Sequence, residues 1–514
     1  DYVDYVNPYI GNISHLLVPT FPTVQLPNSM LRVYPDRGDY TSERVNGLPI
    51  IVTNHRERSA FNLTPYQGEE LRPVRSYTYD NENITPYSFE IELDDNNMAA
   101  KYALSHQSAI YNIEFRQTDK PVYVTVNSQD GEMHADAKGI SGYQDLGNNT
   151  KIYLYMEPEQ TPIQTGILEK GKIEEGKKDA QGRNACAVWR FADGTKQVNL
   201  RYGISFISAE QAKKNLYREQ TDYNVAALAA KGRDVWNKTL SRIDVKGGTE
   251  DEKTVLYSSY YRTFERPICM SEDGSYFSAF DGKVHEDNGT PFYTDDWIWD
   301  TYRAAHPLRL LIDQKIEEDI IDSYLRMAEQ MGNMWMPTFP EVSGDSRRMN
   351  SNHAVVTVAD ALAKGLKVDV AKAYEACRKG IEEKTLAPWS SAPAGWIDQF
   401  YRENGYIPAL QEGEEETDPN VTPWEKRQPI AVTLGTAYDQ WCLHLLASAL
   451  GKKEEAAYYL NCARNYRNVF RPETAFFHPK DKDGNWIEPF DYRFSGGMGA
   501  RDFYGENNGW VYRW

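Results

Sequence analysis

LRYGISFISAEQAKKNLYREQTDYNVAALAAKGRDVW, residues 200–236, is where the chain changes character. Leu200, Tyr202, Ile204 and Phe206 recur at period two, the signature of a strand with one buried face. From about residue 209 the period becomes 3.6, first in the segment carrying Val225, Leu228, Val235 and Trp236, and the strand pattern largely stops. A domain boundary is placed there.

Upstream, from about 85 to 208, the same alternation recurs in Val122, Val124 and Val126 and in Ile152, Leu154 and Met156. Turn signals such as Ala192-Asp193-Gly194-Thr195 separate the strands, and the charged run Glu169 to Lys178 reads as a solvated hairpin tip. Residues 1–208 are therefore expected to form an antiparallel β-sandwich, and 209–250 a helical linker.

Downstream, Glu252 to Arg266 reads as helix with Leu256, Tyr260 and Phe264 at four-residue spacing. Lys315 to Met331 places Ile316, Ile320, Met327 and Met331 on one face, with Glu317, Glu318 and Asp322 expected to face out. His353–Lys364, Val370–Ile381, Pro429–Leu450 and Lys453–Phe470 follow, with Gly365 and Gly451 where helix C-caps belong. Long loops rich in Trp, Pro and acid, such as Glu412 to Asp418, separate them, and loops of that length are functional or disordered. The expected architecture is α+β multidomain, the sandwich followed by an α/α toroid over 251–514. The helices fall short of a closed double ring, so the toroid is expected to be incomplete in this sequence.

The length of 514 residues implies more than one core, and 12 Trp, 35 Tyr and 18 Phe make it aromatic-rich. A net charge of −18 argues against nucleic acid, which needs clustered cations. No run of about 18 apolar residues is present to span a membrane. The cysteines, Cys186, Cys269, Cys377, Cys442 and Cys462, never take a CxxC spacing, which removes a zinc knuckle.

Sugar binding needs aromatic faces to stack on C–H surfaces and carboxylates to accept hydroxyl protons. Two segments carry that mixture: Phe292 to Arg303, with Trp299, Asp300 and Arg303, and Tyr504 to Trp514, with Glu506, Asn508 and Trp510. Trp299 and Tyr302 at helical spacing also fit a core face, and Asp295 and Asp296 read as acids favoured at a helix start. Glu506 follows Gly505 among Asn and aromatics, a setting that desolvates a carboxyl and raises its pKa as a general acid requires. His353 opens a helix, where imidazole can reach a ligand but is more often a satisfied structural side chain; His306, before Pro307, reads as structural. No HExxH, GxSxG, P-loop or Rossmann fingerprint occurs.

These segments together resemble glycoside hydrolase family 92. Asp4 to Gly11 resembles its opening strand, and Thr20-Phe21-Pro22 with Pro27 and Met30 its TFPG-A-x-x-P-F-G-M segment. Trp236 to Ile243 fits its domain junction, Trp299 to Arg303 with Pro307-Leu308 its WDTFR-x-x-x-PL, and His353 to Gly365 its HA-x-x-V-x-ADA-x-x-KG helix. Gly405 to Pro408, Ala437 to Cys442, and Glu506, Asn508, Trp510, Tyr512 and Trp514 fit further segments in the same order. Thr23 replaces a Gly, Asn507 stands for the Gly of EGN, and Gly435 for a Glu before AYDxW.

The resemblance implies an inverting, calcium-dependent exo-α-mannosidase of α-1,2 type, taking mannose-containing glycans. Glu506 falls on the general acid, Trp299, Asp300, Arg303, His353 and Trp510 on sugar-binding positions, and Asn508 on the metal site. It implies a secreted, periplasmic or cell-surface protein, a monomer, whose catalytic base, an Asp, lies beyond this sequence. Two other readings stay open: another toroidal carbohydrate hydrolase or phosphorylase, independent of calcium, and a non-catalytic glycan-binding relative.

Overall fold

The structure, a computed structural model, describes residues 1–14, 19–54, 59–68, 70–493, 502–505 and 508–510. The chain divides into two compact units, Asp1–Tyr293 and Thr294–Trp514. The first unit thus ends well beyond the boundaries expected at 208 and 250. Its extra length follows from how its helices pack.

In the first unit, fourteen strands of the described residues join in one antiparallel sheet that folds back on itself. The hinge is the long strand Val122–Ala135, whose first half pairs with Ala60–Gln67 and whose second half pairs with Ile140–Asp145. Asp179–Phe191 runs along its other edge for nearly its full length. At Gly131 and Gly142 an added Cβ would overlap the carbonyls of Tyr143 and Glu132 on the neighbouring strand, so only glycine permits this approach. The two layers meet through buried tyrosines: Tyr111 Oη donates to Pro49 O (2.5 Å) and Tyr202 Oη to Ile50 O (2.6 Å). The expected inward residues Val122, Val124, Val126, Ile152, Leu154, Met156, Leu200, Tyr202, Ile204 and Phe206 are all buried.

Three helices complete this unit: α1 (Ala209–Glu219), α2 (Val225–Leu240) and α3 (Glu250–Arg262). α1 lies on the strand Gln197–Ser205, where any side chain at Gly203 would overlap Ala212 O. Glu219 Oε1 fastens it further, accepting from Gln107 N and Ser108 Oγ, both at 2.8 Å. α2 buries Val225 and Leu228 against Ala103 and Ile110, and Trp236 Nε1 donates to Gln25 O (3.0 Å). Val235 and Leu256, expected on the packed faces, are instead exposed, because each faces away from the elements its helix packs on.

The second unit is helical: α4 (Ile298–Thr301), α5 (Ala305–Ile312), α6 (Gln314–Gln330), α7 (Ala354–Ala363), α8 (Val370–Glu382), α9 (Trp396–Asn404), α10 (Pro429–Ala449) and α11 (Lys453–Cys462). α10 is its spine, packing on α7, α8 and α11. Pro429 at its first position needs no intrahelical N–H partner, which makes it a good starter. Gly365 and Gly451 take φ of +81° and +71° after α7 and α10, the left-handed caps the sequence predicts. The helix expected over Lys453–Phe470 breaks after Cys462 into a short 3₁₀ turn, Asn465–Val469.

Glu317 departs furthest from expectation. It does not face out; it is fully buried and paired with His306 and Arg309.

Candidate functional site

Four of the residues singled out in the sequence meet in one pocket of the second unit. Trp299, Asp300 and Arg303 come from α4 and the turn after it, and His353 from the N-cap of α7. α10 supplies the opposite wall with Ala431, Leu434, Gly435 and Tyr438, at the three- and four-residue spacing of one helix face. Asn350 and Ser351 close the rim. The volume is about 270 Å³, room for a single ring, and Tyr302 and Tyr438 are shared with neighbouring concavities of about 570 and 460 Å³.

His353 is held from behind. Its Nδ1 lies 2.6 Å from Asp439 Oδ1, and the fully buried Asp439 accepts the Asn352 N–H with its other oxygen (2.8 Å). A carboxylate only accepts, so Nδ1 carries a proton and Nε2 is the free ring nitrogen. The imidazole lies against Tyr302, centroids 4.2 Å apart, which leaves it one orientation.

Gly435 is needed where it stands. A Cβ there would overlap Ser351 Oγ, which donates to Asn350 Oδ1 (2.8 Å) from a residue at φ +74°. Asn350 Nδ2 in turn donates to Gln428 Oε1 (2.7 Å), tying the rim to the start of α10.

Beneath Trp299–Arg303 lies a buried charge cluster. His306 Nε2 donates to Asp296 Oδ2 (2.7 Å) and Nδ1 to Glu317 Oε1 (2.6 Å), while Arg309 Nη1 donates to Glu317 Oε2 (2.9 Å). Tyr324 Oη donates to Asp296, and Thr301 Oγ1 donates to Asp296 Oδ1 (2.8 Å), which pins the turn carrying Asp300. Against the cost of burial, the two carboxylates hold His306 up to about 9, and His306 and the hydroxyls hold Asp296 down at about 2. Burial raises Glu317, and His306 and Arg309 more than offset it. Asp296 is therefore a foundation beneath the loop rather than a helix-start acid, and His306 is structural as read.

Glu506 lies outside the described residues, but its flank is placed. Ile430 N at the start of α10 donates to Phe503 O (2.8 Å), and Tyr504 Oη to Phe477 O (2.5 Å). Tyr504 is buried in an apolar cluster with Tyr406, Ile430, Leu434, Val469 and Phe477. Asn508 Nδ2 donates to Arg493 O (2.9 Å) and its Oδ1 accepts from Trp510 N (3.1 Å). Trp510 packs edge-on to Phe476 and does not line the pocket.

Among the described residues, no group of three or more His, Cys, Asp or Glu side chains gathers as metal ligands. The Asn508 Oδ1 accepts one hydrogen bond and keeps a second lone pair for a hard cation, but one amide oxygen does not by itself form a calcium site. Asn350, Ser351 and Tyr438 went unmarked as site residues in the sequence, and Tyr302 and Asp439 were noted only within their segments, without a role toward His353. The period-3.6 face of α10 was the one available signal for Tyr438.

Comparison with known proteins finds relatives that match most of the chain. Residues 5–205 match the glycosyl hydrolase family 92 N-terminal domain and 211–514 the glycosyl hydrolase family 92 catalytic domain. The solved structure of an inverting mannosidase of this family from Bacteroides thetaiotaomicron is 27% identical, with a TM-score of 0.83 over 99% of this chain and 70% of that one. A second α-mannosidase of the family from that organism, in complex with mannoimidazole, is 23% identical, with a TM-score of 0.85 over 99% and 69%. An uncharacterized secreted glycosidase of Arthroderma benhamiae is 23% identical over 313 residues, and the matched part is 57% of this chain and 35% of that relative. The chain thus spans about a third of the length of that curated relative.

Proposed function

The chain belongs to glycosyl hydrolase family 92, and from that membership we propose that it removes terminal α-linked mannose from glycans with inversion at the anomeric carbon. One observation carries the reading: Trp299, Asp300, Arg303 and His353 converge on a ring-sized pocket whose far wall, α10, also holds the chain leading into Glu506. A pocket of that size suits exo action, in which one residue enters and the rest of the glycan stays outside. The Asp300 carboxylate accepts sugar hydroxyl protons, Arg303 donates, and Trp299 offers an apolar face to the ring carbons.

Glu506 is proposed as the general acid. In the sequence it follows Gly505 among Asn and aromatic residues, a setting that disfavours a charged carboxylate and would keep a proton available for the leaving oxygen. Inversion needs a second carboxylate about 6.5–9.5 Å away, with water between, and no described residue is assigned that role. Calcium dependence, α-1,2 preference, a secreted or cell-surface location and a monomeric state are proposed on the family resemblance. The fungal relative described as a secreted glycosidase supports the location. Asn508 is the one described residue proposed to contribute to the ion, and no step is derived through it.

Glu506→Gln tests the acid role. Activity on mannosides with poor leaving groups is expected to fall about 10²–10⁴-fold, the usual contribution of general acid–base catalysis. Aryl mannosides with good leaving groups, which need little protonation, should lose far less. Equal loss on both classes would refute the assignment.

A further inference from the structure

A second concave site lies in the same unit, built by the long loop that the sequence marked between Glu412 and Asp418. Its cavity is about 550 Å³, and Trp396, Glu414, Thr417, Asn420 and Lys482 line it beside Arg427. Trp396 is the first residue of α9 and is 48% exposed, unusual for an indole seated in a concavity.

The loop is held rigidly although it has no regular structure. Arg427 Nε and Nη2 donate to the two oxygens of Glu416 (2.6 and 2.7 Å), and its Nη1 to Pro408 O (3.0 Å). The buried Asp418 accepts from Ile397 N (3.2 Å) at the start of α9 and from Asn420 N (2.8 Å). Asn420 Nδ2 donates to Pro393 O (3.2 Å) and passes so close to Gly395 that a Cβ there would sit 2.8 Å from it. The Trp396 ring is oriented by the Arg427 guanidinium, 5.6 Å from its centroid, and by Phe400 at 5.7 Å. The site is therefore organised before any ligand arrives.

The lining chooses the ligand class. An anion would meet Glu414 and Asp418, a cation would meet Arg427 and Lys482, and a wholly apolar molecule would strip water from all of these groups. A neutral polyhydroxyl ring satisfies the set: its C–H face stacks on indole, and its hydroxyls both donate to Glu414 and accept from Asn420, Thr417 or Lys482. Arg427 lines this cavity, and the next residue, Gln428, accepts a hydrogen bond from Asn350, which lines the pocket described above. The two concavities flank the start of α10.

We propose that the Trp396 cavity is a second glycan subsite, which stacks a further pyranose of the oligosaccharide whose terminal residue occupies the first pocket. This rests on the mannosidase reading. The test compares the unaltered chain with Trp396→Ala and Trp396→Phe on an aryl α-mannoside and on a branched oligomannoside. Trp396→Ala should leave kcat/KM on the aryl mannoside within about twofold and lower it about five- to tenfold on the oligomannoside, the size of one aromatic contact. Trp396→Phe, which keeps a ring, should recover most of that loss. Equal losses on both substrates, or none on either, overturn the proposal. Calorimetric titration with the same oligomannoside separates the two readings. If the unaltered chain hydrolyses neither substrate, the mannosidase reading fails, and binding that weakens in Trp396→Ala still upholds the subsite. Binding unchanged by that substitution, or no binding at all, refutes it.

Discussion

Replacing His306 with Gln should destabilise the second unit by about 3–5 kcal/mol near pH 6, and by much less at pH 9 and above. The magnitude comes from the geometry. His306, Asp296 and Glu317 are fully buried, and the imidazolium donates to one carboxylate from each nitrogen. A glutamine amide is neutral, so two buried carboxylates would be left facing the single guanidinium of Arg309. The interval from the ordinary 6.5 of His to about 9 gives a second figure, about 3 kcal/mol in favour of the charged ring. The sign follows from proton binding: the unfolded chain releases this proton near 6.5, while the folded chain keeps it to about 9. The stabilisation is whole below 6.5 and is lost as pH rises from there to about 9. Asp296 works in the opposite direction, since its depressed carboxyl contributes above about 4 and loses its contribution as pH falls toward 2. Urea unfolding followed by tryptophan fluorescence, on both proteins at several values from pH 5 to 9.5, reads the difference directly. A gap below about 1 kcal/mol at pH 6, or one that stays constant to pH 9.5, would refute the charge-cluster account.

Three further outcomes are expected. Asp439→Asn should lower kcat/KM on aryl α-mannosides about tenfold or more with an unchanged circular dichroism spectrum, because a hydrogen bond to a charged acceptor fixes His353; unchanged kinetics would show that the His353 orientation is immaterial. Gly435→Ala should raise KM about fivefold by forcing Ser351 and the rim it carries away from α10, and adding Ser351→Gly, which removes the overlapping hydroxyl, should restore most of it; additive losses in the double variant would contradict the coupling. Activity should vanish in chelator and return with calcium while the thermal midpoint moves little, and full turnover in excess EDTA would reassign the chain to a calcium-independent chemistry.

The change of period near residue 209 was legible because burying one face imposes period two on a strand and 3.6 on a helix, whatever lies beyond. Trp299 and Asp300 were legible as candidates because aromatics and carboxylates share one turn, and His353 because it opens a helix, where an imidazole can reach a ligand. That they meet across α10 was not legible, since the segments are far apart in sequence and nothing local records which faces meet. Glu317 was misread for the same reason: on a helix wheel it is an outward acid, and only His306 and Arg309, on the preceding helix, make burial tolerable. Gly435 read as a departure from a pattern, whereas in space it is the room that Ser351 occupies.

The packing of α1 and α2 on the sheet separates two things that usually coincide. The family models divide this chain between residues 205 and 211, yet the compact unit continues to Tyr293. Gly203 is shaped for the backbone of α1, and Gln107 and Ser108 donate to Glu219 across that division. The segment matched by the family's N-terminal domain is thus shorter than the compact unit that contains it. An exchange of halves between relatives at residue 208 would deliver a sheet with its covering helices left on the other piece. A crossover near residue 293 would carry sheet and helices as one inheritance.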